Sequence, residues 1–231
     1  MGSISLKDRD GVAVVALDRP PANAISVELL AELVSTLESV AAERPKALVM
    51  AGRPGFFSAG VDLKAVPSYG PEEQRQMVEG INRMVLTVYP MPFPVVGAIT
   101  GHAIAGGFVL AVCADFRVAS LEGRYGLTEI KVGVPYPQAA IGVVRAELAP
   151  PAARKLVLGN ELIGGEEAAR LGVFDEAVPP DQVLARAHEI AVELGAMPRD
   201  VYARTKADLR GSALSAMKDA VAAEPLLEGW I

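Results

Sequence analysis

Two glycine-rich segments near the middle of the chain, 58–64 and 101–107, each follow an apolar run of strand character. A chain that repeatedly runs strand, glycine bend and helix has few ways to bury its apolar faces. Residues 11–17, 47–50, 94–100 and 115–119 read as strands. Between the first three lie helical patterns: one from an N-cap at Ser26 with Leu30, Leu33, Val34, Leu37 and Ala41 on one face, another opening at Pro71-Glu72-Glu73 with Met77, Ile81, Met84, Val85 and Val88 as its stripe. A short apolar helix from about 105 to 113 follows the second bend. Strand, crossover and strand in succession argue an α/β arrangement with largely parallel strands. From Pro135 onward the pattern is mostly helical, at 139–148, 152–158, 166–171 and 181–194 and in two amphipathic stretches after Pro198, with one short strand at 173–178.

Composition narrows what such a fold can do. With 231 residues the chain can bury a sizeable core, and 28 acidic against 22 basic residues without a basic run give no face for nucleic acid or an anionic membrane. One cysteine, Cys113, excludes a disulfide framework and a thiolate zinc cluster, agrees with a reducing cytoplasm, and reads as a small buried hydrophobe inside an apolar run. His102 and His188 are too few and too far apart for a metal site. The N-terminus carries no secretory signal pattern, and the apolar runs stop short of a membrane span.

The glycine bends carry the chemistry. Segments 58–64 and 101–107 can aim two bare backbone N–H groups at one oxygen, the arrangement that stabilises charge appearing on a carbonyl during reaction. Taken singly, Gly60, Gly106 and Gly107 also fit ordinary tight turns; flanking an acidic candidate, they point to acyl or thioester chemistry. Glu129, in Leu127-Thr128-Glu129-Ile130, has apolar neighbours able to desolvate it and raise its pKa toward that of a working base. A solvated acid at a helix end, beside Lys131, is the alternative reading of the same residue.

Six motifs in order resemble the enoyl-CoA hydratase/isomerase (crotonase) superfamily over nearly the whole chain. They are 21–25 (Pro-Ala-Asn-Ala-Ile), 57–63, 101–107, Cys113-Ala114-Asp115, 126–133 and 166–175. The resemblance implies an α/β crotonase (ClpP-like) spiral of repeated ββα units over 1–179 and a helical trimerisation region over 180–231. It implies a substrate thioester oxygen held by the amides of Val61 and Gly106, with Glu129 as the catalytic carboxylate. Asn23, Ala24 and Ile25, together with Ala59, Gly60, Asp62, Leu63 and Lys64, are expected along the coenzyme A path, largely through main-chain groups, and Gly107 beside them. Lys64 could reach a phosphate or simply be a solvated lysine; Asp62 could brace its turn; Tyr136 could line the acyl pocket or only pack.

The chain departs from the family pattern at Val109, where similar hydratases carry a second glutamate three residues after the oxyanion glycine. Valine cannot position water, whereas a lone carboxylate can move a proton from carbon 2 to carbon 4. The leading expectation is therefore a 3-enoyl-CoA to 2-enoyl-CoA isomerase; hydration of a 2-enoyl-CoA and noncatalytic acyl-CoA binding are the rivals. No metal or tightly bound cofactor is implied, coenzyme A arriving as part of the substrate in the cytoplasm. The resemblance further implies a homotrimer or a dimer of trimers. A second departure is the stop at Ile231, where family members continue, which leaves pocket closure to a neighbouring subunit or to weaker binding.

Overall fold

A computed structural model describes residues 2–228 and 230, with the side chains of residues 227 and 228 excepted. Ile231 lies outside the described residues. The chain forms the expected α/β spiral of strand–strand–helix turns followed by C-terminal helices.

Strands β1 (Ile4–Arg9) and β2 (Val12–Leu17) pair as an antiparallel hairpin whose turn is Asp10-Gly11, both at positive φ. Asp-Gly is the dipeptide that such a two-residue turn favours. Sequence reading begins the first strand at Gly11 and misses β1. Helix α1 (Val27–Glu43) starts where the Ser26 hydroxyl accepts the Leu29 N–H at 3.3 Å, and ends at Arg44 in the left-handed region. Its buried side chains recur every three or four residues from Leu29 to Val40.

Three ββα turns follow. Strands β3 (Ala47–Ala51) and β4 (Gly55–Ser58) precede α2 (Pro71–Val88); β5 (Val95–Ile99) and β6 (Gly101–Ile104) precede α3 (Gly106–Val112); β7 (Phe116–Ser120) and β8 (Tyr125–Gly126) precede α4 (Gln138–Glu147). In each turn the first strand enters a six-stranded sheet and the second a three-stranded sheet. The large sheet runs β1-β2-β3-β5-β7-β9, parallel beyond the hairpin, with β9 spanning Glu176–Val178; the small one runs β4-β6-β8, also parallel. The glycine segments thus hold strands as well as bends, a point the sequence reading missed.

Alternation along β3 builds two cores from one sheet. Leu48 and Met50 face the main core with α1 to α4, while Ala47, Val49 and Ala51 face α7 (Val183–Gly195) through Val183, Ala187, Ile190 and Ala191. Strands covered on both faces read as continuous apolar runs, which β3 and β5 do.

The C-terminal half corrects three expectations. The helix expected over 152–158 is α5 (Pro150–Ala153) followed by a π turn (Arg154–Leu158), and the strand expected over 173–178 shrinks to β9. After α6 (Gly165–Arg170) and α7, the two stretches expected beyond Pro198 are one helix, α8 (Arg199–Ala222). It buries Lys206, Arg210 and Met217 while Leu209 is 80 % exposed, so no apolar stripe marks it. Lys206 and Arg210 instead bracket Asp115 at 2.7 and 2.9 Å, and Arg210 also reaches Glu147, which pairs with Arg117. Among the described residues no helix is long and apolar enough to cross a membrane.

Candidate active site

The two glycine bends meet because neither has side chains in the way. Gly60, at φ +79°, lies so close to the start of α3 that a Cβ there would be 2.7 Å from the Ile104 carbonyl oxygen and 3.0 Å from the Gly106 nitrogen. Gly107 lies against Ser58, whose carbonyl oxygen a Cβ would approach to 2.4 Å. Glycine is the residue that permits both contacts.

The close approach brings the Val61 and Gly106 amides side by side. Ile25 bridges the 60–62 segment, its N–H donating to the Gly60 carbonyl at 2.7 Å and its carbonyl accepting the Asp62 N–H at 2.9 Å. In a parallel bridge the residue between those two groups directs its own N–H to the other side. Gly106 opens α3, where an N–H has no partner within the helix. Among the described residues neither the Val61 nor the Gly106 N–H has a hydrogen-bond acceptor, and both residues line one pocket. A Cβ on Gly106 would stand 3.9 Å from the Val61 nitrogen and 3.6 Å from its nearest neighbour, Ile25 Cδ1, so the space between the two donors is open.

Glu129 lines the same pocket. It precedes a 3-10 turn (Ile130–Val132) and is fixed there by main-chain bonds from Val132 and Val134 to its carbonyl, at 3.2 and 2.9 Å. Lys131 N–H donates to Asn160 Oδ1 at 3.2 Å, tying the turn to the next segment. The side chain is buried, 8 % of the residue being exposed, so the solvated alternative falls away. Burial pushes its carboxyl up, against the pull of backbone amides and of the Tyr136 hydroxyl. Burial likewise pushes the Tyr136 phenol up, and the charge on Glu129 adds to it. Neither Glu129 Oε2 nor the Tyr136 hydroxyl has a hydrogen-bond partner of normal geometry among the described residues. Leaving such a group unpaired costs about 1–3 kcal/mol, so their presence asks for a reason beyond packing.

The remaining walls are apolar: Ile81 from α2, Val109 from α3, Ala140 from α4, Val132, Val134 and Trp230, with Ala59 and Leu63 at the first bend. Val109, the position of the missing second acid, is buried in this wall. Trp230 donates its indole N–H to the Pro135 carbonyl at 3.0 Å and so holds the segment carrying Tyr136; sequence reading gave it no role, although it is the single tryptophan. The cavity measures about 50 Å³, a third of the ~150 Å³ that takes up benzene.

Of the residues expected at the site, Ala59, Val61, Leu63, Gly106, Glu129 and Tyr136 line the pocket. Asn23, Ala24, Ile25, Gly60, Asp62, Lys64 and Gly107 do not. Asn23 is fully buried and its side chain is consumed internally: the amide donates to the carbonyls of Leu17, Phe56 and Phe57, and Oδ1 accepts the Arg19 N–H. The Ala24 carbonyl accepts from Arg19, which also pairs with Asp62 at 3.0 Å. Asp62 braces the bend as read, accepting the Lys64 N–H, while the Lys64 side chain is solvent-exposed. Cys113 is buried, its thiol pushed up to about 12 by burial, which removes it as a nucleophile.

The family model described as enoyl-CoA hydratase/isomerase matches residues 7–227. A putative enoyl-CoA hydratase of Thermus thermophilus is 32 % identical over 229 residues, covering 97 % of this chain and 90 % of the relative. The mitochondrial enoyl-CoA delta isomerase 1 of Mus musculus is 33 % identical over 211 residues, covering 87 % of this chain and 71 % of the relative. The crystal structure of human mitochondrial delta3-delta2-enoyl-CoA isomerase superposes with a TM-score of 0.87 at 28 % identity, covering 96 % of this chain and 88 % of that one. A spiral with two convergent glycine bends, matched over residues 7–227 by the family model, makes the chain a member of the enoyl-CoA hydratase/isomerase family, the crotonase superfamily of acyl-CoA enzymes.

Proposed function

We propose that the protein moves a double bond in an unsaturated acyl-CoA, from 3-enoyl to 2-enoyl. The observation that carries this reading is one buried carboxylate, Glu129, in a pocket lined by no second acid among the described residues, with Val109 where a water-positioning glutamate is expected.

The thioester oxygen sits between the Val61 and Gly106 amides. Glu129, ionised, removes a proton from carbon 2; the electron pair of that C–H bond spreads over the carbonyl and the 3,4 double bond, giving a dienolate. Its oxygen charge is what the paired amides stabilise, each such donor being worth about 3–4 kcal/mol of barrier. The protonated Glu129 then returns the proton to carbon 4, leaving a 2,3 double bond and the carboxylate restored. Atoms and charge are unchanged overall. Desolvation serves the first step, because a base whose pKa has risen takes a weakly acidic proton more readily. Coenzyme A enters as part of the substrate, and the trimer implied by the family resemblance belongs to the same proposal.

Purified protein should be assayed on 3-hexenoyl-CoA and on crotonyl-CoA, with Glu129→Gln beside wild type. Isomerisation is expected, falling by about 10²–10⁴-fold in the variant. Faster hydration of crotonyl-CoA than isomerisation of the 3-enoyl thioester overturns the reading in favour of a hydratase. Thioester binding with neither activity makes it a binding protein.

A further inference from the structure

One buried polar atom in the pocket is left without work by this reaction: the Tyr136 hydroxyl. A phenylalanine would wall the pocket equally well. The position of the ring is nevertheless set with care, between Pro135 and Pro137, with the Trp230 indole bonded to the Pro135 carbonyl. The other orphaned atom in the same pocket is Glu129 Oε2. Among the described residues the rest of the pocket lining, Val61, Ile81, Val109, Val132, Ala140 and Trp230 among it, carries no charged side chain.

We propose that Tyr136 is the positioning residue of Glu129, its hydroxyl donating to Oε2 in the substrate complex and leaving Oε1 to carry the proton between carbons 2 and 4. This rests on Glu129 being the base. A 1,3 shift asks one carboxyl group to serve two carbons in turn, and a carboxyl pinned at one oxygen can pivot about it while the other swings. The tyrosine only donates, because its phenol holds its proton more firmly than usual in this setting. Where a second acid is absent, a neutral hydroxyl orients the base without adding a competing negative charge.

The test is Tyr136→Phe, read by the pH profile of isomerisation and by carbon-13 NMR titration of the Glu129 carboxyl. Loss of a donor to the ionised form raises the pKa of that form's acid, so the acid limb and the NMR midpoint should both move to higher pH. We expect kcat to fall about tenfold with KM within twofold, the split that marks lost positioning rather than lost binding. A limb and a midpoint that stay in place overturn the proposal, whether or not kcat falls, since a residue that only shapes the wall leaves them unmoved. If Glu129→Gln is inactive while Tyr136→Phe titrates as wild type, the positioning role fails and the base stands. Should Glu129→Gln turn over like wild type, the base itself is wrong and the tyrosine's role goes with it.

Discussion

Gly106 lines the pocket whereas Gly60 and Gly107 do not, and the structure needs the three glycines for different reasons. Gly60 combines a positive φ with contacts under 3.0 Å, and Gly107 has no room against Ser58. Alanine at either position must push backbone aside, and we expect a loss of about 2–3 kcal/mol in chemical denaturation. Gly106 has open space instead, its added methyl lying beside the Val61 amide where the oxyanion is proposed to bind. Gly106→Ala should therefore melt close to wild type while kcat/KM drops at least tenfold; equal losses of stability and activity in all three variants would refute the distinction. The sequence motif marks these glycines alike, because φ signs and close contacts come from tertiary structure. Asn23 shows the same limit: the carbonyls of Leu17, Phe56 and Phe57, from two separate segments, claim its side-chain amide, a partnership its motif does not reveal.

Helix α8 shows what periodicity can and cannot reveal. Two of its three buried residues, Lys206 and Arg210, are charged, and Val201 and Leu209 face outward, so an apolar count divides the helix in two. Its anchor is Asp115, which accepts from Lys206, Arg210 and the Val95 N–H. Removing one member of a buried ionic cluster strands the others without compensation, at a cost of about 3–5 kcal/mol. Asp115→Ala should lose that amount in urea, a change in the transition midpoint that circular dichroism can follow; a loss under 1 kcal/mol would mean that water replaces the carboxylate. By contrast α1 and α2, which bury leucine, valine and methionine at helical spacing, are legible residue by residue. Short strands were harder. Strands β4 and β6 span four residues each, too few to show alternation inside glycine-rich sequence.

At the level of the molecule, alternation of apolar runs and amphipathic helices conveys the α/β class and the largely parallel run of its strands. It does not convey that successive strands are dealt to two sheets, since that depends on which backbone edges meet. The convergence of the bends from 58–64 and 101–107 on one pocket follows from this dealing: β4 and β6 are hydrogen-bonded neighbours in the small sheet, so the segments that leave them travel together. Glu129 comes from the exit of β8, the third strand of the same sheet, which is why residues some seventy positions apart in sequence line one pocket.

The hairpin strand β1 carries Lys7, Asp8 and Arg9 along its exposed half, whereas β2 behind it reads Val-Ala-Val-Val-Ala-Leu. It acts as a charged selvedge, closing a fabric whose next thread would otherwise recruit strands from other molecules. A chain beginning at Asp10 would keep every pocket residue and yet be expected to form particles visible by light scattering. Shelf life, rather than turnover, is what those few residues guard.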